Sequence, residues 1–191
     1  MSDLVEIRWH ARAGQGAVTA SKLLAETALL KGKYIQAMPE YGPERTGAPL
    51  RAYTRISDIP IEVHNNIINP DIVVVLDETL LAIVDVLEGL DKNGTLLLNT
   101  TKDVNTIRTE LKVPEHITIA VVDASGIAVD TIGRDIPNTP IVGALAHVTG
   151  VAAVEALKEN IIHDFGKKFS QKVVDANLAS VDRATQEVVC Q

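Results

Sequence analysis

Two short segments hold the residue types that could do chemistry. Trp9-His10-Ala11-Arg12-Ala13-Gly14-Gln15-Gly16 is a glycine-rich turn. Glu40-Tyr41-Gly42-Pro43-Glu44-Arg45-Thr46-Gly47-Ala48-Pro49 is a polar stretch broken by proline and glycine. A glycine-rich turn that feeds a helix offers backbone N–H groups and the positive end of a helix dipole, and both suit a phosphate. Without a Cβ, glycine lets the backbone come close to such a ligand. The turn is neither a dinucleotide fingerprint nor a P-loop, because Thr19 stands where GxGxxG needs its third glycine and no Gly-Lys-Ser/Thr follows. A plain structural turn fits the same residues. In the second segment Pro39, Pro43, Pro49, Gly42 and Gly47 impose a shaped loop. Arg45 would bring a fork of donors to an anion; a solvated loop in which Glu44 balances Arg45 is the other reading.

These segments need a frame. Val5–Trp9 reads as a strand and 17–30 as a helix with Leu23, Leu24, Thr27, Ala28 and Leu30 on one stripe, ended near Gly32. Tyr34–Met38 is a second strand, so 5–38 reads as one right-handed βαβ unit. Leu50–Ile56 and Ile59–Val63 alternate apolar and polar about Ser57-Asp58, which predicts an antiparallel hairpin at a sheet edge. Asp71–Asp77 is a continuous apolar run, hence a central strand covered on both faces. A helix over Thr79–Leu87, strands at Thr95–Asn99 and Thr118–Val122, and helices at Val104–Leu111, from Asp123, at Ile141–Thr149, Val154–Asn160 and Gln171–Val189 follow. His163–Phe169 reads as a loop. The fold class is α/β: a Rossmann-like, open, mostly parallel sheet with helices on both faces and an antiparallel edge hairpin. Residues 1–191 form one domain, with a C-terminal helical extension over about 151–191. In such a sheet the loops after successive strands gather at the carboxyl edge, which makes 12–16 and 39–49 neighbours.

Other polar groups have ordinary explanations beside functional ones. Asp77-Glu78 sits at the same sheet edge, where Asp77 is better read as a cap than as a catalytic acid. Thr139 in Asn138-Thr139-Pro140 suits a helix N-cap, and Pro140 is tolerated in a first turn. His10, His64, His116, His147 and His163 lack metal-ligand spacing, so no metal is expected. Lys167 and Lys168 suit a solvated loop or a contact for an acidic partner.

The chain has 191 residues, 46% hydrophobic but only 3% aromatic, enough for a core built from Val, Ile, Leu and Ala. A net charge of −7 argues against a nucleic-acid surface. One cysteine, Cys190, excludes an intrachain disulfide and fits a reducing cytoplasm. Met1–Glu6 lacks the basic and apolar regions of a signal peptide. No apolar run approaches the roughly 20 residues that span a bilayer.

The two segments in this order and spacing, with Pro137-Asn138-Thr139-Pro140 and Phe165-Gly166-Lys167-Lys168-Phe169, resemble the gamma subunits of the 2-oxoacid:ferredoxin oxidoreductases, those of the pyruvate-oxidising branch above all. The resemblance spans essentially the whole chain. It implies a cytoplasmic, multi-subunit enzyme that oxidatively decarboxylates a 2-oxoacid, passes electrons to ferredoxin and forms an acyl-CoA. It also implies alpha, beta and delta partner subunits. Thiamine diphosphate and Mg would lie between alpha and beta, and 4Fe-4S clusters mainly in delta. This chain would contact coenzyme A through Ala13, Gly14, Gln15 and Gly16 and through Glu44, Arg45, Thr46 and Gly47, and would supply neither a catalytic residue nor a metal ligand. Single-chain relatives carry lysines where Glu44-Arg45 stands here. A cluster usually needs four thiolates, so one cysteine fits a division of labour in which electrons travel through other subunits. Three alternatives remain: a sister enzyme acting on 2-oxoisovalerate, 2-oxoglutarate or indolepyruvate; a standalone dinucleotide-binding oxidoreductase; and a purely structural subunit.

Overall fold

The computed structural model describes residues 4–40 and 47–191. These contain a seven-stranded sheet in the order β2-β3-β1-β4-β5-β6-β7. The strands are β1 (Leu4–Arg12), β2 (Tyr34–Glu40), β3 (Pro49–Ser57), β4 (Ile72–Val75), β5 (Thr95–Asn99), β6 (Thr118–Val122) and β7 (Val189–Cys190). β1, β4, β5 and β6 are parallel, whereas β3 and β7 run against their neighbours. The helices are α1 (Ala17–Leu29), α2 (Val104–Leu111), α3 (Ala124–Ile132), α4 (Asn138–Thr149), α5 (Val154–Gly166) and α6 (Gln171–Glu187). The expected α/β class, with its mostly parallel sheet and an antiparallel edge hairpin, is the one observed.

The apolar runs explain the layering. Successive side chains on a strand point to opposite faces. Val73, Val75, Leu96, Leu98, Ile119 and Val121 therefore meet Val104 and Ile107 of α2 on one side. Trp9, Val74, Leu97, Ala120 and Val122 meet α1, α3, α4, α5 and α6 on the other. Leu157, Ile161, Val181 and Ala184 of the last two helices belong to that same second core.

Several local expectations are corrected. β1 and β2 run the same way and are joined by α1, but β3 lies between them, paired from Leu4↔Ser57 to Arg12↔Pro49 with β1 and from Tyr34↔Ser57 to Glu40↔Arg51 with β2. The edge hairpin is thus β2–β3. Ile59–Val63 forms no strand, because β2 already occupies the edge of β3. That segment is instead a strap across the sheet. The Val63 carbonyl accepts hydrogen bonds from Gln36 Nε2 at 2.8 Å and Arg55 Nη1 at 3.3 Å. Arg55, whose alternation suggested a wet face, is 1% exposed. Its guanidinium reaches Glu6 Oε1 at 2.6 Å, Gln36 Oε1 at 3.1 Å and Asn65 Oδ1 at 3.2 Å.

The helix expected over Thr79–Leu87 is a 3₁₀ turn, Glu78–Ala82, followed by irregular chain. α4 starts at Asn138, so Thr139 is a buried helical residue rather than its cap. α5 runs on through His163 to Gly166, where a loop was expected. α6 ends at Glu187, short of the expected Val189, which begins β7, and Cys190 sits on that strand against Ala120.

Candidate functional site

β1 delivers the chain to a tight turn. Gln15 N–H donates to Arg12 O at 3.1 Å, closing Arg12–Gln15. Gly14 (φ 106) and Gly16 (φ 83) lie in the left-handed region, which is why both positions hold glycine. Gly16 caps α1 without a side chain, and the first-turn N–H groups of a helix have no intrahelical partners.

The second loop meets this turn. Ala13 N–H donates to Ala48 O at 2.9 Å, and Gly47 N–H donates to Ala13 O at 3.1 Å. Arg12 Nη1 adds a bond to Gly47 O at 3.0 Å. The predicted neighbourhood is present, but the β1–β3 ladder creates it by running one residue pair beyond Arg12↔Pro49. Ala13, Gly14, Gln15, Gly16 and Gly47 are therefore together. Glu44, Arg45 and Thr46 lie outside the described residues.

A polar network backs the turn. Gln15 Oε1 accepts from Arg12 N–H at 2.8 Å, while Gln15 Nε2 donates to Asp77 Oδ2 at 2.7 Å. Asp77 Oδ1 accepts from Thr79 N–H at 2.9 Å and Thr79 Oγ1 at 2.6 Å, the capping role expected of it. Arg12 Nε stands 3.3 Å from Asp77 Oδ2, and its fork also donates to Thr79 Oγ1. Burial alone would raise the Asp77 pKa. Hydrogen bonds from Thr79 and Gln15, with the charge of Arg12, outweigh it and hold the carboxyl below its ordinary value.

On the helical side Gly16 touches Asn138. A Cβ on Gly16 would fall 2.9 Å from Asn138 Nδ2. Asn138 Oδ1 accepts from Thr139 N–H at 2.8 Å. Beside it opens a groove of about 610 Å³ with Thr19 and Asn138 at one end and Phe165, Phe169, Arg134 and Lys168 along it. Phe165 and Phe169 pack edge to face, 5.6 Å between centroids. On the other flank of Gln15 a cleft of about 250 Å³ follows the carboxyl ends of β4, β5 and β6. Asp77, Glu78, Asp123 and Asp135 line it, so its field repels anions. Among the described residues no three or more His, Cys, Asp or Glu side chains stand together as a metal site, and no helix is long and apolar enough to cross a membrane.

Arg12, Asp77 and Asn138 each tie the turn to another element, and only Arg12 adjoins the glycines in sequence. The sequence does not signal that Arg8 and His10 are buried (3% and 1% exposed). Arg8 Nε donates to His10 Nε2 at 3.0 Å, and Arg8 Nη2 donates to Val86 O and Glu88 O. Desolvation, then the charges of Arg8 and Arg51, lowers the His10 pKa to about 3 and keeps the ring neutral.

Comparison with known proteins fits this arrangement. The family model described as pyruvate ferredoxin/flavodoxin oxidoreductase matches residues 6–187. The pyruvate synthase subunit PorC of Thermotoga maritima is 54% identical over 185 residues, 97% of this chain and 95% of the relative. The pyruvate/ketoisovalerate oxidoreductases common subunit gamma of Thermococcus litoralis is 46% identical over 169 residues, 88% of this chain and 91% of the relative. The crystal structure of the Thermotoga maritima pyruvate oxidoreductase subunit PORC superposes with a TM-score of 0.87 at 48% identity, covering 100% of this chain and 99% of that one. A 2-oxoglutarate:ferredoxin oxidoreductase from Magnetococcus marinus, solved with 2-oxoglutarate, coenzyme A and succinyl-CoA bound, shares the fold alone (TM-score 0.77, 17% identity, 97% of this chain and 31% of that one). The chain belongs to the pyruvate ferredoxin/flavodoxin oxidoreductase family, as a gamma-type subunit chain.

Proposed function

We propose that this chain is the gamma subunit of a pyruvate synthase, which converts pyruvate, coenzyme A and two oxidised ferredoxins to acetyl-CoA, CO₂ and two reduced ferredoxins, reversibly. Carbon–carbon cleavage belongs to thiamine diphosphate with Mg between the alpha and beta subunits, and electrons leave through 4Fe-4S clusters mainly in the delta subunit. The whole chain, 1–191, acts as one domain in the cytoplasm, scaffolding the assembly and holding part of coenzyme A.

The observation that carries the coenzyme contact is the pairing of Ala13 with Gly47 and Ala48. It brings the left-handed glycines and the first turn of α1 beside Gly47, two positions after Arg45 in the sequence. Ala13, Gly14, Gln15, Gly16, Glu44, Arg45, Thr46 and Gly47 form the contact. The backbone of the glycine turn approaches phosphate, and Arg45 pairs with it through charge-assisted hydrogen bonds. The acidic cleft beyond Gln15 supports this placement by leaving one favourable side for an anion.

Arg45→Ala in the enzyme assembled from all four subunits tests the reading. KM for coenzyme A should rise about tenfold or more, the scale of one charge-assisted bond, with KM for pyruvate unchanged. An unaltered KM for coenzyme A sinks the contact. A second reading, favoured by the Thermococcus litoralis relative, a common gamma subunit of pyruvate and ketoisovalerate oxidoreductases, is that one gamma chain serves both pyruvate and 2-oxoisovalerate assemblies. Tagging this chain and recovering two sets of alpha and beta subunits would support it; recovery of one set would dismiss it.

A further inference from the structure

We infer that Asp77 and Gln15 form a polarity relay that positions the glycine turn, an inference that rests on the coenzyme reading for its purpose. A turn with glycines on both sides of Gln15 is conformationally permissive, and ordering it costs entropy. Here the ordering is built in before any ligand arrives. Every donor in the relay meets an acceptor: Arg12 N–H to Gln15 Oε1, Gln15 Nε2 to Asp77 Oδ2, and Thr79 N–H and Oγ1 to Asp77 Oδ1. Gln15 can satisfy both of its neighbours in one amide orientation only, because flipping it sets Nε2 against the Arg12 N–H. Asp77, anchored after β4 on a rigid central strand, thereby fixes the side chain that folds Arg12–Gln15. Arg12 closes the arrangement with one arm on Thr79 and another on Gly47 O, so the relay also holds the chain where it enters β3. Asp77 is a positioning residue, not a catalytic one.

The relay has a sense, and reversing it is the test. Asp77→Asn keeps the acceptor for Thr79 but puts an N–H₂ opposite Gln15 Nε2, so two donors meet. Gln15→Glu keeps the acceptor for Arg12 N–H but puts two carboxylate oxygens face to face. Together D77N and Q15E restore one donor and one acceptor between the two side chains, with the total charge unchanged, while Arg12 Nε loses the carboxylate 3.3 Å away in both D77N forms. All three variants are nearly isosteric, so the fold tolerates them. In the four-subunit enzyme two quantities are read: amide hydrogen exchange of residues 12–16 without ligand, and kinetic constants. Each single variant should speed exchange in the turn, and D77N, outside the coenzyme contact, should raise KM for coenzyme A several-fold, about the scale of one half-buried hydrogen bond, with kcat changed less than about threefold. The double variant should slow exchange in the turn to within about threefold of the parent, a coupling that independent structural damage does not produce. Unchanged exchange in the single variants, or a double variant no better than their sum, overturns the relay. Exchange that rises and is rescued while KM for coenzyme A never moves upholds the relay and overturns the coenzyme reading instead.

Discussion

Gly16 lies directly against Asn138: a Cβ added to the glycine would come within 2.9 Å of the asparagine Nδ2 and 3.1 Å of its Cβ. This contact joins the glycine turn to the first turn of α4, 122 positions further along the chain by numbering. It accounts for glycine at a second level, since Gly16 also has φ 83. Gly16→Ala therefore meets two costs, about 1–2 kcal/mol for the left-handed backbone and a further one for displacing Asn138. Adding Asn138→Ala removes only the second. In urea denaturation of the chain, the double variant should lose less stability than the sum of the two single variants. Strict additivity would show that Asn138 yields freely and that φ alone demands glycine.

His10 predicts a pH dependence with a definite sign. Its folded-state pKa is depressed to about 3, against 6.5 ordinarily. Below pH 6.5 the unfolded chain takes up a proton that the folded chain refuses, so stability falls as pH falls, until both states are protonated near pH 3. Between pH 6.5 and pH 5 the loss approaches about 2 kcal/mol from this residue. His10→Gln keeps an acceptor for Arg8 Nε and does not titrate. Its denaturation midpoint should change less than the parent's over that interval; parallel midpoints would place His10 in a different protonation state.

Arg55 predicts how the strap is held. With its side chain 2% exposed and Glu6 at 24%, the pair is shielded on one side and partly wet on the other. Arg55→Ala removes the Arg55 donor from Glu6 Oε1, Gln36 Oε1 and Asn65 Oδ1 and leaves the Val63 carbonyl with Gln36 Nε2 alone, and should cost about 3–5 kcal/mol. Arg55→Lys cannot span those partners with one compact ammonium and should recover little. Limited proteolysis should cut between residues 58 and 69 faster in both variants. A protected strap would mean that Ile67, buried at 3%, anchors it by packing alone.

The sequence was most legible where a single periodicity decides the outcome. Thr95–Asn99, Val104–Leu111 and Thr118–Val122 appear as expected, because apolar runs covered on both faces and a capped amphipathic helix are local signals. The glycine turn was also legible, since glycine constrains the chain locally, whereas its neighbourhood to Gly47, expected from loops at one edge of a parallel sheet, is produced by the antiparallel β1–β3 ladder. Legibility failed where polar residues are buried. Arg51-Ala52-Tyr53-Thr54-Arg55 looks like a strand with one wet face, yet β1 and β2 flank it and the strap covers Arg55. Burial of a charge depends on partners 8 to 49 positions away, Val63 and Glu6 for Arg55, and no periodicity reports them.

Local sequence by itself determined the α/β class, the strand–turn–helix at the start of the chain and the residue types able to approach an anion, because these follow from backbone freedom and side-chain alternation. Tertiary structure alone decided the insertion of β3 beside β1, the seating of Gln15 on Asp77 and of Gly16 on Asn138, and the burial of Arg8, His10 and Arg55. Such contacts are settled by which distant groups can satisfy one another away from water, a condition that exists only once the sheet has brought them together.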